Sequence, residues 1–474
     1  MIERIPRSVL VGVGLLAPLM LVYVAYSRPG YFNSQLYLGG LVFLEFLFGA
    51  IWLYRQIFFP VVLMAFLFAG TGLPVGSGWT VARWVVLAVG ALVGCAMMVK
   101  DRRLHFGLFH AVALFATMAA LLSGAVSKYP DFALLKALSL LLLFLYSATG
   151  ARLAVAGREP QFFAGLLIGC ELFVAGLAAC YFFGREVMGN PNSLGVVTGV
   201  VGAPILLWGT MVAQSSTLRY RRFALLAVCL YLVYHSHARA SMGAAGLTCA
   251  LLCIAMRRYK LLAQGILVIF ILVGTVAVVS PETFSHAVSD VSSSVVYKSP
   301  DPSRGFLASR ESPWQAAEKT IQNNFWFGTG FGTTDNGQDA SARLDQFTTN
   351  PGVTAENGSS YLAIFAWVGM LGVLPFLLLL LTIIGRVVRT AVWMFRTGSP
   401  FHPAIPLAMV MIGGLFHAGF EDWLFAPGYY MCVFFWSLAF VLVDLAPATP
   451  LPVTIPAASP PWLRYVLGDT VPSQ

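Results

Sequence analysis

Along most of the chain apolar residues come in blocks of about 17 or more, the length needed to cross a hydrocarbon layer about 30 Å thick. Alternating ten-residue strands, the signature of a membrane barrel, are absent from the pattern. Inside lipid every backbone amide must be satisfied within its own segment, so each block is expected to be a helix. The blocks place spans near residues 8–26, 36–54, 57–70, 81–99, 105–124, 133–150, 162–183, 193–213, 222–235, 240–256, 261–279, 359–383, 403–419 and 427–445. This is the pattern of an all-α integral membrane protein with about 14 transmembrane helices, or 12–14 if the short third and ninth blocks are re-entrant.

One interval breaks the series. From Ser280 to Gly358 the chain turns to Ser, Asn, Asp and Gly, with no run of membrane length. The organisation is therefore N-terminal helices over 1–279, one large loop with short helices over 280–358, C-terminal helices over 359–445 and a Pro-rich tail over 446–474. Long connections of this kind are uncommon unless functional. Within the loop, Ser312-Pro313-Trp314-Gln315 predicts a helix start, with a Ser cap, Pro at the first position and Gln three after the cap. Trp314, Ala317 and Ile321 then share one face. Gly328, Gly330 and Gly332 predict a turn region after it.

Charge fixes the orientation. With the N-terminus in the cytoplasm and strict alternation, Lys and Arg gather on the cytoplasmic side: Arg55; Lys100, Arg102 and Arg103; Arg152 and Arg158; Arg219, Arg221 and Arg222; Arg257, Arg258 and Lys260; Arg386, Arg389 and Arg396. The large loop then lies on the periplasmic side. The net charge of +9 reads as this topology signal and not as a nucleic-acid footprint. A chain that is 58% hydrophobic and 10% charged departs far from soluble domains, which carry about 25% charged residues. The first block follows Arg4 and Arg7 without a small-residue cleavage site, the pattern of an uncleaved anchor. All seven cysteines fall inside expected spans, so no disulfide framework is implied. Cys249 and Cys253 share a helix face, as packing or, less simply, as half a metal site.

Polar groups in or beside a bilayer are costly, and the expected outer face collects an unusual set of them. Arg185, Asn190 and Asn192 occupy one outer turn, Arg239 the short turn His235–Ser241, Arg310 the approach to the loop helix, Glu356 and Asn357 the point of re-entry, and Glu421 and Asp422 the last outer turn. Guanidinium offers a planar fork of donors and stays charged, which suits a phosphate-like anion at headgroup depth. The same arginines also suit interfacial anchoring, or pairing with Glu186, Glu311, Glu421 and Asp422. Glu356 has the chemistry of a general base for a hydroxyl, and equally that of a carboxylate favoured at the start of the following helix. Glu45 and Glu171, inside spans two and seven, are either members of a proton relay or hydrogen-bonded structural groups. His235 and His237 flank one serine and form a metal pair only if the backbone there is extended. No internal repeat is visible, which weakens a transporter built from inverted halves.

The ordered motifs resemble the bacterial O-antigen ligase and polymerase superfamily, membrane enzymes that move lipid-linked glycans. The resemblance runs from about Gly184 to Gly372 and rests on Asn190-Pro191-Asn192-Ser193-Leu194, His237-Ala238-Arg239-Ala240-Ser241, Ser309-Arg310 with Trp314 and Ala317, Phe327-Gly328-Thr329-Gly330-Phe331-Gly332, Glu356-Asn357-Gly358-Ser359-Ser360-Tyr361-Leu362 and Trp367-Val368-Gly369-Met370-Leu371-Gly372. The resemblance implies attack by an acceptor sugar hydroxyl on a glycan held by undecaprenyl diphosphate, without metal, nucleotide or other cofactor, at the periplasmic face of a bacterial inner membrane. Its partners are the lipid-linked donor, a glycan or lipid-linked acceptor, membrane lipids and other polysaccharide-assembly proteins, with no nucleic acid. By motif position Arg239 and Arg310 hold the diphosphate, with Arg185 as a third member. Asn190, Asn192, Trp314, Asn357 and Tyr361 contribute to substrate binding. Many family members carry His where this chain has Glu356. A carboxylate can serve there as base, its pKa raised by burial, and the exchange leans the reading towards a polymerase.

Overall fold

The computed structural model describes residues 59–71, 78–100, 104–188, 190–282, 308–333 and 358–447, besides a few isolated positions. The spans expected near 8–26 and 36–54, with Glu45, fall outside these apart from isolated positions, as do the tail beyond residue 447 and both Glu356 and Asn357. The described residues form helices and turns, with no strand among them. In chain order the helices are α1 (Phe59–Ala69), α2 (Gly78–Lys100), α3 (Leu108–Ala125), α4 (Pro130–Val155), α5 (Glu159–Phe182), α6 (Pro191–Val212), α7 (Ser216–His235), α8 (Arg239–Ala255), α9 (Tyr259–Val279), α10 (Ala308–Asn323), α11 (Ser360–Thr397), α12 (Ala404–Ala418) and α13 (Tyr430–Leu445). All but α10 coincide with an expected apolar block. Six of these, α3 to α6, α9 and α11, are long and apolar enough to cross a membrane. The chain is a multi-pass membrane protein.

Three expectations about helix ends change. The ninth block is not short: α7 spans 20 residues from Ser216 and takes Arg219, Arg221 and Arg222 into its first turns. They are accommodated because each has an acceptor. Arg222 donates to Glu171 Oε1 at 2.8 Å and to the Gly209 carbonyl at 2.9 Å. Arg221 reaches Glu171 Oε2 at 2.6 Å, and Arg219 the Ala213 carbonyl at 3.0 Å. The block expected over 359–383 continues as helix to Thr397 and ends on Gly398 at φ 62°, where a left-handed residue closes a helix at little cost. The loop helix begins at Ala308, ahead of Ser312, and holds Pro313 inside it. Proline removes one N–H but keeps a helical φ, so Ser309 to Ser312 add a turn before it. Arg310 therefore sits in the helix's first turn instead of preceding it.

Contacts sort the polar residues into two ends of the bundle. At one end buried Arg152 grips Asp444 through two bonds of 2.6 and 2.7 Å and also donates to the His105 carbonyl. Trp208 Nε1 donates to the Pro400 carbonyl at 2.8 Å, and Arg257 lies over the Phe395 ring. At the other end Arg83 donates to the Gly428 carbonyl at 2.8 Å, and α10 and the turn after it pack on α3, α4 and α11. Two walls carry π-helical stretches, Ser147–Ala151 in α4 and Val196–Gly202 in α6.

The loop end is locked by a break in α11. Gly369 adopts φ 65° and ψ −175°, which opens the helical ladder. Backbone polar groups freed at membrane depth need partners from the protein itself, and segment 325–330 supplies them. Thr329 and Gly330 N–H donate to the Ala366 and Trp367 carbonyls at 3.0 Å each, and Met370 and Leu371 N–H donate to the Phe325 and Trp326 carbonyls at 2.7 and 3.2 Å. Ser123 Oγ adds a bond to the Trp367 carbonyl at 2.7 Å, Ser127 Oγ one to Thr329 at 2.7 Å and Lys136 Nζ one to Gly332 at 2.7 Å. The approach is so close that a Cβ on Gly369 would lie 2.5 Å from Gly328 N. Gly369→Ala combines that overlap with a left-handed conformation costing roughly 1–2 kcal/mol for a non-glycine residue. It is expected to lower the thermal midpoint of the detergent-solubilised protein, whereas Gly385→Ala in the same helix, where the added carbon meets nothing within 4 Å, leaves it unchanged or raised.

Candidate functional site

Four separate elements bring polar side chains to the loop end. The first is α10, held down by its apolar face: Ala317 is buried, and Trp314 Nε1 donates to the Gly358 carbonyl at 3.1 Å. This docking directs Arg310, which is largely buried, onto the carboxylate of Glu421. Glu421 belongs to the turn between α12 and α13, and Ser360 at the start of α11 fixes that turn. Ser360 N–H and Oγ both donate to the Glu421 carbonyl, at 3.1 and 2.6 Å, and Ser360 Oγ accepts from Leu424 N–H at 3.0 Å. The third element is α6. Asn190 Oδ1 caps its start by accepting from Asn192 N–H at 2.9 Å, and Asn192 Nδ2 donates to Glu421 Oε1 at 3.3 Å.

The fourth element is the tight turn that opens α8. His237 takes a positive φ of 50°, uncommon outside glycine, and Arg239 follows as the first residue of the helix. The turn presses on α6 at Gly195, where a Cβ would come within 2.8 Å of Ser241 Oγ. Behind Arg239, fully buried Ser241 meets His417 Nε2 of α12 at 3.0 Å, while Trp423 Nε1 reaches His417 Nδ1 at 2.8 Å. Indole is a donor only, so Nδ1 of His417 is the acceptor. Nε2 of the neutral ring then carries the proton and donates to Ser241. This tautomer cannot take a proton from the serine, so the pair fastens α8 to α12 and does not generate a nucleophile.

Arg239 and Arg310 stand at the same end of the bundle, near enough for their charges to interact. Glu421 takes one nitrogen of the Arg310 guanidinium, and the remaining N–H donors of that group meet no acceptor among the described residues. A guanidinium has five such donors. Two cations at one end of the bundle suit an oxyanion with several oxygens.

The remaining expected site residues fall as follows. Trp314 and Asn192 are structural contacts of the site just described, and Asn190 is the cap of α6. Tyr361 donates its hydroxyl to the Leu415 carbonyl at 2.6 Å, tying α11 to α12. Arg185 is exposed in the turn after α5, and no described contact joins it to the two arginines. Glu356 and Asn357 lie outside the described residues; Gly358, which follows them, is the residue that Trp314 holds. His417 and Trp423 went unread in the sequence, and Ser241 and Ser360 stood in quoted motifs without a role. The signal that marks them is the polar run His417 to Trp423 inside an apolar stretch, facing a helix that starts Arg239-Ala240-Ser241.

Residues 224–377 match the family model described as O-antigen ligase. Over that third of the chain the protein is similar to the O-antigen ligase family. The matched stretch runs from α7 into α11 and includes Arg239, Arg310 and the Gly369 break, whereas Asn192, His417 and Glu421 lie outside it. A search of curated proteins finds no match.

Proposed function

We propose that this protein is a glycosyltransferase of the O-antigen ligase and polymerase type, acting on lipid-linked glycan at the periplasmic face of a bacterial inner membrane. The observation that carries the reading is the Arg239–Arg310 pair at the end of the bundle where the loop helix docks. In the proposed reaction an acceptor sugar oxygen attacks the anomeric carbon of a glycan on undecaprenyl diphosphate. The bond from that carbon to the phosphate oxygen breaks, and the diphosphate leaves with the electron pair. Arg239 and Arg310 stabilise the charge that grows on it, the role in which preorganised donors contribute most. Glu356 takes the hydroxyl proton. Ligase and polymerase differ only in the acceptor, a lipid-anchored core in one and a second lipid-linked repeat in the other. No metal or nucleotide enters this scheme.

A proton-coupled polysaccharide transporter is the competing reading. It relies on Glu45, outside the described residues, and on Glu171, whose two oxygens are both engaged by Arg221 and Arg222. That pairing favours a structural role.

Purified protein supplied with a lipid-linked glycan tests the reaction. Free undecaprenyl diphosphate should accumulate with turnover, accompanied by chain growth for a polymerase. Glu356→Gln should slow turnover by roughly 10²–10⁴-fold, the usual contribution of a general base, and Glu356→His should retain part of it. Full activity of the Gln variant removes Glu356 from the mechanism.

A further inference from the structure

We propose that a cavity at the end of the bundle away from the loop helix binds a primary ammonium group, that of an aminophospholipid head in the adjoining leaflet. The cavity lies where α4 and α13 end and α5 begins, at the boundary of the hydrocarbon layer. Its volume is about 310 Å³, at the lower end of the roughly 300–1,000 Å³ range of small-molecule sites. No residue of the arginine site lines it, and the inference stands independently of the transferase reading.

Donors and acceptors are unequal around this cavity. Arg152 lines it, but its side chain is only 1% exposed and its N–H groups are spent on Asp444 Oδ1 and Oδ2 and on the His105 and Ala148 carbonyls. Those four bonds take all but one of the five donors of a guanidinium. The acceptors are not used up. Each Asp444 oxygen takes one bond from Arg152, a carboxylate has about four lone-pair sites, and the Asp444 side chain is 35% exposed. Glu159 Oε1 accepts from Gly157 N–H at 2.9 Å, and its Oε2 meets no donor among the described residues. The exposed His105 ring is the other lining side chain able to donate. One guanidinium against two carboxylates leaves the lining with one negative charge.

An ammonium brings one positive charge and three donors with no acceptor, the complement of this lining. Leu104, Val155, Val441 and Leu445 complete the wall and suit a short methylene stem beneath a charged head. The tail beyond residue 447 contains no lysine, so it does not supply the group. Arg386 of α11 stands near enough to Asp444 for their charges to interact, yet does not line the cavity. It places a cation beside the acceptors, which matches a zwitterionic head whose phosphate follows close on its ammonium. A soluble amine shares the ammonium but has no use for Arg386.

Native mass spectrometry of the full chain, released from detergent with phosphatidylethanolamine, phosphatidylcholine or phosphatidylglycerol, tests the site. The ethanolamine lipid should be retained roughly tenfold more than the others, since choline has no N–H and the glycerol head no positive charge. Glu159→Gln removes the charge and keeps an acceptor for Gly157, and Leu445→Trp fills the cavity from a part-exposed position. Each should leave the lipid-free thermal midpoint near that of the wild type and bring the ethanolamine lipid down to the level of the other two. Arg386→Gln should weaken that lipid by roughly fivefold or more. Butylamine serves as the soluble probe, read as a rise in thermal midpoint that Glu159→Gln abolishes and Arg386→Gln does not. That butylamine response without any preference among the lipids keeps the ammonium site and overturns the lipid as its source. Equal retention of the three lipids with no butylamine response overturns the site altogether, as does an ethanolamine preference that survives both Glu159→Gln and Leu445→Trp.

Discussion

Arg310→Ala is expected to abolish long-chain glycan on a gel while the protein stays at normal level in the membrane. Losing one preorganised donor to a developing anion costs about 10²–10³ in turnover, or roughly 2.7–4 kcal/mol. Here the loss is compounded, because Glu421, only 17% exposed at its side chain, keeps its negative charge at the site without the Arg310 guanidinium and repels the incoming diphosphate. Arg239→Ala should fall in the same range. The double variant should be little worse than either single one, since groups acting as a unit are strongly non-additive. Arg310→Lys should recover little, because an ammonium cannot contact Glu421 and a phosphate through one planar fork. Arg310→Ala combined with Glu421→Gln tests the cause: it should relieve any loss of stability without restoring glycan. Normal chain length in both single variants removes the arginines from the mechanism.

The second large effect lies at the opposite end and concerns stability instead of chemistry. Arg222 and Glu171 are almost completely buried, with side chains 4% and 8% exposed. Removing one partner of a buried pair costs about 3–5 kcal/mol when the other charge is left unpaired, and here the exposed Arg221 stays on Glu171 Oε2 and sets that as the upper end. Arg222→Ala should therefore greatly lower the yield of folded protein and its thermal midpoint in detergent. Arg221, more than half exposed, is the weaker partner, and its removal should matter far less. Arg222→Met with Glu171→Leu removes both charges and should regain most of the loss. Glu171→Gln should lower stability for the same reason, while the protein that does fold keeps glycan synthesis close to normal. A damaged function with intact folding in that variant would favour the transporter instead.

How much of this was legible from the chain depends on what physical constraint each feature obeys. Bilayer thickness and backbone satisfaction act on every span alike, so α1 to α9 and α11 to α13 fall where the apolar blocks lie. Helix ends answer to partners that sequence does not display. Arg219, Arg221 and Arg222 read as a loop because charges end apolar runs, yet Glu171 and two carbonyls let the helix include them. Pro313 suggested a helix start, but the bond it forfeits does not prevent a turn before it. The break at Gly369 is similar: its motif stood out, while its conformation depends on backbone groups of residues 325–330. The placing of Arg239 and Arg310 at one end required a tertiary structure, and so did Glu421, which satisfies one reading of the arginines as ion-pair partners while meeting one nitrogen of the Arg310 guanidinium.

Binding of undecaprenyl diphosphate to the purified protein tests the central claim most directly, since it isolates the leaving group from glycan, acceptor and base. Measured at fixed salt, the affinity should fall roughly tenfold or more in Arg239→Gln and again in Arg310→Gln, about 1.4 kcal/mol for each tenfold step. It should be unaffected by Arg185→Gln if the two arginines alone form the grip. Wild-type affinity in both the Arg239 and Arg310 variants contradicts a pyrophosphate clamp at the loop end of the bundle.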